Sequence, residues 1–322
     1  MAVLVSANSV SQQGQVRHPE PLLLVLLGPT AGGKTALSLS LAEKFKGEII
    51  SCDSVAVYRG MEIGTAKPSS SERARIPHHL IDIYSPEEHS TAGAYARRAR
   101  EAIRSITARN RLPIVTGGTG LYLRALLEGL FAGPQRSEEL RVRLERSNAR
   151  HREGWLRRVL KRLDSASAAR IHANDVPKLI RAIEVSLSAR KPMSEAWQEG
   201  REPLRGFRIL RIGLDPPRQE LYGRINARAA RMFDKGLIDE TQQLIATYGE
   251  SPRAFDSLGY RQARAVLRGE MTREQAVAAA QQGHRNYAKR QLTWFRREPD
   301  VCWLTGFGDE PDIIARAAAL LP

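Results

Sequence analysis

Leu22 to Thr35 reads LLLVLLGPTAGGKT. Six apolar residues run into Gly28, and Gly33, Lys34 and Thr35 complete the spacing G-x-x-x-x-G-K-[ST]. The apolar run is too short to span a bilayer and suits a strand buried on both faces. After Thr35, ALSLSLAEKF has helical spacing and good helix formers. In this strand–turn–helix context the glycines let backbone N–H groups converge on a phosphate at a helix N-terminus, where the macrodipole favours negative charge. Lys34 would reach the terminal phosphate oxygens, and the Thr35 hydroxyl would ligate Mg²⁺. The stretch therefore predicts a site for a di- or triphosphate.

The rest of the chain sets the scale. Its 322 residues suffice for one large domain or two smaller ones, and 42% are hydrophobic, ordinary for a soluble globular protein. Residues 1–20 are polar and read as a disordered leader, with no signal peptide. Cys52 and Cys302 have no metal-ligand spacing and cannot build a disulfide framework, so a reducing cytoplasm is the expected compartment, with no membrane partner. The formal net charge of +15 favours a polyanionic partner such as nucleic acid, although arginines on solvated helix faces would look similar.

Outward from the phosphate loop, Glu48–Cys52 reads as a second strand that delivers Asp53 to the crevice at the carboxyl ends of a parallel sheet. Alone, Asp53 would serve equally as a helix cap or turn residue; beside the loop it becomes a catalytic candidate. Residues 79–86 read as a third strand, 91–110 as an amphipathic helix, and 112–120 as a fourth strand entering the turn Thr116-Gly117-Gly118-Thr119. No carboxylate ends that strand, which argues against a motor-type ATPase. Strand signals vanish between Ser137 and Pro203, giving a division into a leader (1–20), a first core segment (21–136), a helical insertion (137–203) and a second core segment (204–322). A strand over 205–215, several helices, a long final helix over 270–297 and an edge strand at VCWLTG complete the reading. Fold class is thus α/β, a P-loop NTPase-like core with a parallel sheet flanked by helices, plus an all-helical insertion domain. On the last helix, HRNYAKRQLTWFRR (284–297) carries five Lys/Arg and no acid, interleaved with Tyr287, Trp294 and Phe295. That mixture suits single-stranded nucleic acid, where bases stack and phosphates pair.

Taken together, GPTAGGKT, SCDSVAVYRGMEIGTAKP, PHHLID, VTGGTGLYL, RIHANDVPKLIRAIEV, RINARAARMFDKGLIDE, SLGYRQ and YAKRQLTWFRR occur in order. The chain closely resembles the tRNA dimethylallyltransferases, bacterial type, from about Leu22 to Trp303. The resemblance implies that the P-loop holds the diphosphate of dimethylallyl diphosphate, with Mg²⁺ as cofactor. The acceptor would be N6 of adenine 37 in tRNAs reading codons that begin with U, giving N6-isopentenyladenosine and diphosphate. It implies catalytic roles for Asp53, Lys34, Thr119 and Arg228, and diphosphate contacts from Gly28, Pro29, Thr30, Ala31, Gly32, Gly33, Lys34, Thr35 and Arg228. Asp53 is the residue expected to take the amino proton, since the adenine amino group is a poor nucleophile. The adenine must leave its stack to reach the site.

The tRNA contacts implied are Asp53, Ser54, Val55, Ala56 and Thr119; Arg141 at the start of the insertion; Pro177, Lys178, Leu179, Ile180 and Arg181; Ser257, Leu258, Gly259, Tyr260 and Arg261; and Lys289, Arg290, Gln291, Leu292, Thr293, Trp294, Phe295 and Arg296. The insertion would clamp the anticodon stem. Two departures stand out: Ala56 occupies a position that is often Gln, and His284 one that is commonly Thr. A monomer is the default expectation. Two rivals use the same P-loop: a kinase of a nucleoside or other small molecule, and a non-catalytic RNA-binding protein gated by nucleotide.

Overall fold

The computed structural model describes residues 20–131, 133–134, 136–196 and 201–322. Apart from Glu20, the expected leader lies outside them. The first strand, β1 (Leu22–Leu27), leads through the P-loop to α1 (Lys34–Lys44) and then β2 (Gly47–Cys52). There follow α2 (Ser70–Arg75), β3 (His78–His79), α3 (Ala92–Ala108), β4 (Leu112–Gly117) and α4 (Gly120–Leu127). Helices α5 (Glu138–Arg150), α6 (Trp155–Leu163), α7 (Ser165–Arg170), α8 (Val176–Ala189) and α9 (Met193–Ala196) precede β5 (Arg208–Leu214). The chain then forms α10 (Arg218–Asp234), α11 (Leu237–Tyr248), α12 (Tyr260–Leu267), α13 (Arg273–Phe295), β6 (Val301–Leu304) and α14 (Pro311–Ala319).

All strand pairs are parallel, in the order β3-β2-β4-β1-β5-β6. The alternation of β1 explains its continuous apolar run. Leu24 and Leu26 enter one core with Leu37 and Leu41 of α1 and Ile313 and Ala317 of α14. Leu23, Val25 and Leu27 enter the opposite core with Ala99 and Ile103 of α3, Leu123 and Leu126 of α4, and Phe295 of α13. Each fully buried aliphatic side chain here contributes roughly 1.5–3 kcal/mol, so β1 needs no polar face. Its carboxyl end and those of β2 and β4 converge on the P-loop, which places the site at this edge of the sheet.

Helices α5–α9 have a separate core built from Leu144, Leu156, Leu160, Leu179, Ile180 and Ile183. Within it the buried carboxylate of Glu184 accepts from the Ser137 N–H at 2.6 Å, from Arg141 Nη2 at 2.7 Å and from Arg181 Nη1 at 2.7 Å. A second hub, Asp164, takes the N–H and hydroxyl of both Ser167 and Ser194.

Two expectations are corrected. The strand expected over 79–86 is confined to His78–His79, with only an isolated bridge between Tyr58 and Tyr84 beyond it. Leu80 and Asp82 take positive φ, 63° and 58°, which breaks the extended run, and the Asp82 carboxylate is drawn to Lys67 and Arg73. The helix expected to be last, α13, is followed by α14, whose Pro311 starts the helix and whose apolar face covers α1. A nine-residue amphipathic segment is a weak signal in sequence.

Candidate active site

At the P-loop the chain turns through Gly28 and Ala31, both at positive φ, and Gly33 caps α1 in the left-handed region. Gly33 is required twice over: its φ is 88°, and a Cβ would lie 2.5 Å from the N–H nitrogen of Gly308. Lys34 Nζ donates to the carbonyls of Gly28 at 2.9 Å and Pro29 at 2.7 Å, folding back over the loop. Burial, then the charge of Arg228, pull its pKa down to about 7, against the raising influence of Asp53 and Cys52. Lys34, Arg228 and Asp53 therefore share one electrostatic neighbourhood.

Those three side chains line a cavity of about 460 Å³ together with Thr30, Thr35 and Tyr287. Arg228 comes from α10, and its Nε is buried without a hydrogen-bond partner. Behind it lies His284 of α13; burial and then the Arg228 charge lower its pKa to about 4, so it faces the arginine as a neutral imidazole. A half-buried cation with a buried unsatisfied donor, lining a pocket beside a P-loop, is suited to an anion.

On the opposite wall Asp53 follows β2. Its Oδ1 accepts from the N–H of Val55 at 2.8 Å and of Ala56 at 3.1 Å, an Asx turn that fixes the carboxylate. Among the described residues no hydrogen bond engages Oδ2. Thr119 stands behind this turn: its Oγ1 accepts the Ser54 N–H at 3.0 Å, and its own N–H donates to the Cys52 carbonyl at 3.1 Å. Burial raises the Cys52 thiol to about 12, which keeps it protonated and inert.

The walls are tied together by Gln291 of α13. Its Oε1 accepts the Thr30 N–H at 2.8 Å, and its Nε2 donates to the Gly118 carbonyl at 3.0 Å, an oxygen that also accepts the Tyr287 hydroxyl at 3.1 Å. Gly118 admits this approach because a Cβ there would sit 2.0 Å from Gln291 Nε2. Tyr287 and Gln291 stand four residues apart on one helix face; that spacing was the available signal for their shared role.

The string RGMEIGTAKP acts as a strut. Glu240 of α11 accepts the Glu62 and Ile63 N–H groups and the Tyr260 hydroxyl, and Tyr260 closes on Gly64. Lys67, whose side chain is 1% exposed, bonds the Tyr58 carbonyl, Glu62 and Asp82.

The remaining candidates fall into groups. Lys289, Arg290 and Thr293 are exposed on α13, as is Arg296 at its C-cap, which pairs with Asp215 at 3.1 Å. Leu292 and Trp294 are half-buried, the indole lying under the Arg124 guanidinium at 4.4 Å, whereas Phe295 is in the core. Across α5–α9, Pro177 is exposed, Lys178 is exposed and paired with Asp175, Leu179 and Ile180 are core residues, and Arg141 and Arg181 hold Glu184. Near α12, Ser257 and Leu258 are half-buried, Gly259 and Tyr260 buried, and Arg261 exposed. Gly28, Pro29, Ala31 and Gly32 form the P-loop itself. Arg224, Arg231 and Asp309, for which no contact is expected from the sequence, also line the cavity.

The arrangement can hold Mg²⁺. Among the described residues no group of three His, Cys, Asp or Glu could bind a metal alone, yet the Thr35 hydroxyl is exposed and forms no hydrogen bond there. Mg²⁺ commonly takes one or two protein oxygens and completes its shell with substrate phosphates and water, so this donor set fits.

Fold and site define a P-loop α/β protein in which an anion cradle faces a fixed carboxylate. The family model described as IPP transferase matches residues 56–298. The tRNA dimethylallyltransferase of Koribacter versatilis is 64% identical, over 94% of this chain and 98% of its own length. That of Solibacter usitatus is 55% identical, over 90% and 95%. Among solved structures, the tRNA isopentenylpyrophosphate transferase of Bacillus halodurans superposes with a TM-score of 0.69 at 36% identity, covering 94% of this chain and 95% of its own. A eukaryotic dimethylallyltransferase acting on tRNA gives a TM-score of 0.77 at 26% identity, over 93% and 78%. The chain belongs to the IPP transferase family. Among the described residues no helix is long and apolar enough to cross a membrane.

Proposed function

We propose that this protein transfers the dimethylallyl group of dimethylallyl diphosphate to N6 of adenine 37 in tRNAs reading UNN codons, releasing diphosphate. The observation that carries the reading is that Lys34, Arg228 and Asp53 line one cavity at the P-loop. The amides at the start of α1, Lys34 and Arg228 hold the diphosphate, and their positive charge lowers the cost of its departure. Asp53 Oδ1 is occupied by two backbone N–H groups, which leaves Oδ2 to accept the N6 proton as the C–N bond forms. Thr119 keeps the Asp53 turn in place. Thr35 would hold Mg²⁺, which supplies further charge neutralisation on the diphosphate when bound.

The net charge of +15 and the exposed Lys289 and Arg290 suit a tRNA, with α5–α9 beside the anticodon stem and the chain acting as a monomer in the cytoplasm. A small-molecule kinase leaves that charge idle and is not favoured. Incubation with radiolabelled dimethylallyl diphosphate, Mg²⁺ and unmodified tRNA tests the reading. Label should appear in isopentenyladenosine after nuclease digestion; ATP-dependent phosphorylation of a nucleoside with no label in tRNA would overturn it.

A further inference from the structure

The turn between β6 and α14 reaches back to the phosphate loop. Its Gly308 N–H donates to the Gly32 carbonyl at 3.0 Å, and Phe307 is fully buried against Leu221 and Ile225 of α10. Asp309 consequently lines the same cavity as Lys34 and Arg228. An acid at the wall of an anion site works against binding unless a cation neutralises it. Arg224 does so: its Nη1 donates to Asp309 Oδ1 at 2.7 Å and Oδ2 at 2.8 Å. The guanidinium also stacks on Phe307, its Cζ 3.6 Å from the ring centroid.

Three features make this pair more than a surface strut. Arg224 precedes Arg228 by four residues on α10, so both arginines face the cavity from one side of the helix. Asp309 engages only Nη1; among the described residues Nε and Nη2 of Arg224 make no hydrogen bond. The pair is also partly exposed, at 41% and 46%, and so exchanges partners at little cost.

Building on the diphosphate reading of the P-loop, we propose that Arg224 is an additional, outer diphosphate-binding residue. Asp309 is its positioning residue: it holds the guanidinium at the pocket wall and weakens the grip on diphosphate through its own charge. The two carboxylate oxygens and the phosphate oxygens compete for one cation, which favours release of the product.

The two residues should therefore shift diphosphate affinity in opposite directions. Titration of inorganic diphosphate with Mg²⁺ into the full chain should give roughly tenfold weaker binding for Arg224→Gln and roughly three- to tenfold tighter binding for Asp309→Asn, with a lower KM for dimethylallyl diphosphate in the latter. Arg224→Gln/Asp309→Asn should regain part of what Arg224→Gln loses. A strut alone would make both single variants weaken binding together or leave it unchanged, and either result overturns the proposal. If the wild-type chain binds no diphosphate while Lys34→Ala behaves identically, the P-loop reading itself fails and the proposal falls with it.

Discussion

The side-chain amide of Gln291, on α13, lies 3.0 Å from the carbonyl oxygen of Gly118 at the end of β4, while its other end takes the Thr30 N–H of the P-loop. One buried side chain thus fixes the distance between the P-loop and the turn that backs Asp53. Gln291→Ala takes the partner from the half-buried Thr30 N–H and one of two donors from the Gly118 carbonyl, at a cost of about 1–3 kcal/mol of stability. Loosening the two walls should raise the KM for dimethylallyl diphosphate by roughly tenfold, because a small misplacement of reacting groups is expensive. Thermal unfolding and steady-state kinetics on the same preparation check both effects. Gly118→Ala should reproduce them, since its Cβ would displace the Gln291 amide.

Lys34 makes a pH prediction. Its pKa of about 7, lowered first by burial and then by Arg228, rises again when an anionic diphosphate arrives, so binding takes up a proton above neutrality. Affinity for dimethylallyl diphosphate should fall as pH rises from 7 towards 10, and calorimetry in buffers of different ionisation enthalpy should register proton uptake. The sign for folding is opposite: the unfolded lysine binds the proton more tightly, so this group's contribution to stability improves with rising pH over the same window. Lys34→Met should remove the proton uptake; an unchanged uptake would assign it elsewhere.

Glu184 is the buried polar hub of α5–α9. Burial alone would raise its pKa, but hydrogen bonds from Arg141 and Arg181 and from the Ser137 N–H outweigh this and hold it below the ordinary glutamate value. Its contribution is present above the unfolded pKa and lost as pH falls through the lower folded one, so α5–α9 should loosen in acid before the sheet does. Glu184→Ala leaves two arginines without their buried partner and should destabilise these helices by roughly 3–5 kcal/mol. Limited proteolysis between residues 137 and 196 reads this directly; an unaltered cleavage rate would count against it.

The last turns of α13 should separate contact from core. Lys289→Ala/Arg290→Ala removes two exposed charges and should lower the slope of log affinity for tRNA against log salt by roughly one to two units without changing the melting temperature. Phe295→Ala, on the buried face, should instead cost about 3–5 kcal/mol of stability. Filter binding across a salt series and thermal denaturation distinguish the two.

The parts legible in sequence are the local ones. The apolar run before Gly28, the glycine spacing and the helix formers after Thr35 declare the strand, loop and α1 with no information from elsewhere. Asp53 was legible because β2 ends just before it. Residues 79–86 misled because their apolar pattern is extended, while the left-handed Leu80 and Asp82 answer to Lys67 and Arg73, distant in sequence. Arg141 and Arg181 look like free cations until Glu184 is seen between them. Arg224 and Asp309 come to line the cavity only through helix packing and a C-terminal turn that returns to the P-loop.

Asp53→Asn tests the central claim most directly. The amide retains an oxygen to accept the Val55 and Ala56 N–H groups, so the turn survives, but it cannot accept the N6 proton. With radiolabelled dimethylallyl diphosphate and tRNA carrying adenines 36 to 38, transfer to adenine 37 should fall by at least about a hundredfold, with tRNA and diphosphate binding intact. Undiminished transfer by Asp53→Asn would contradict the account and remove this carboxylate from the chemistry.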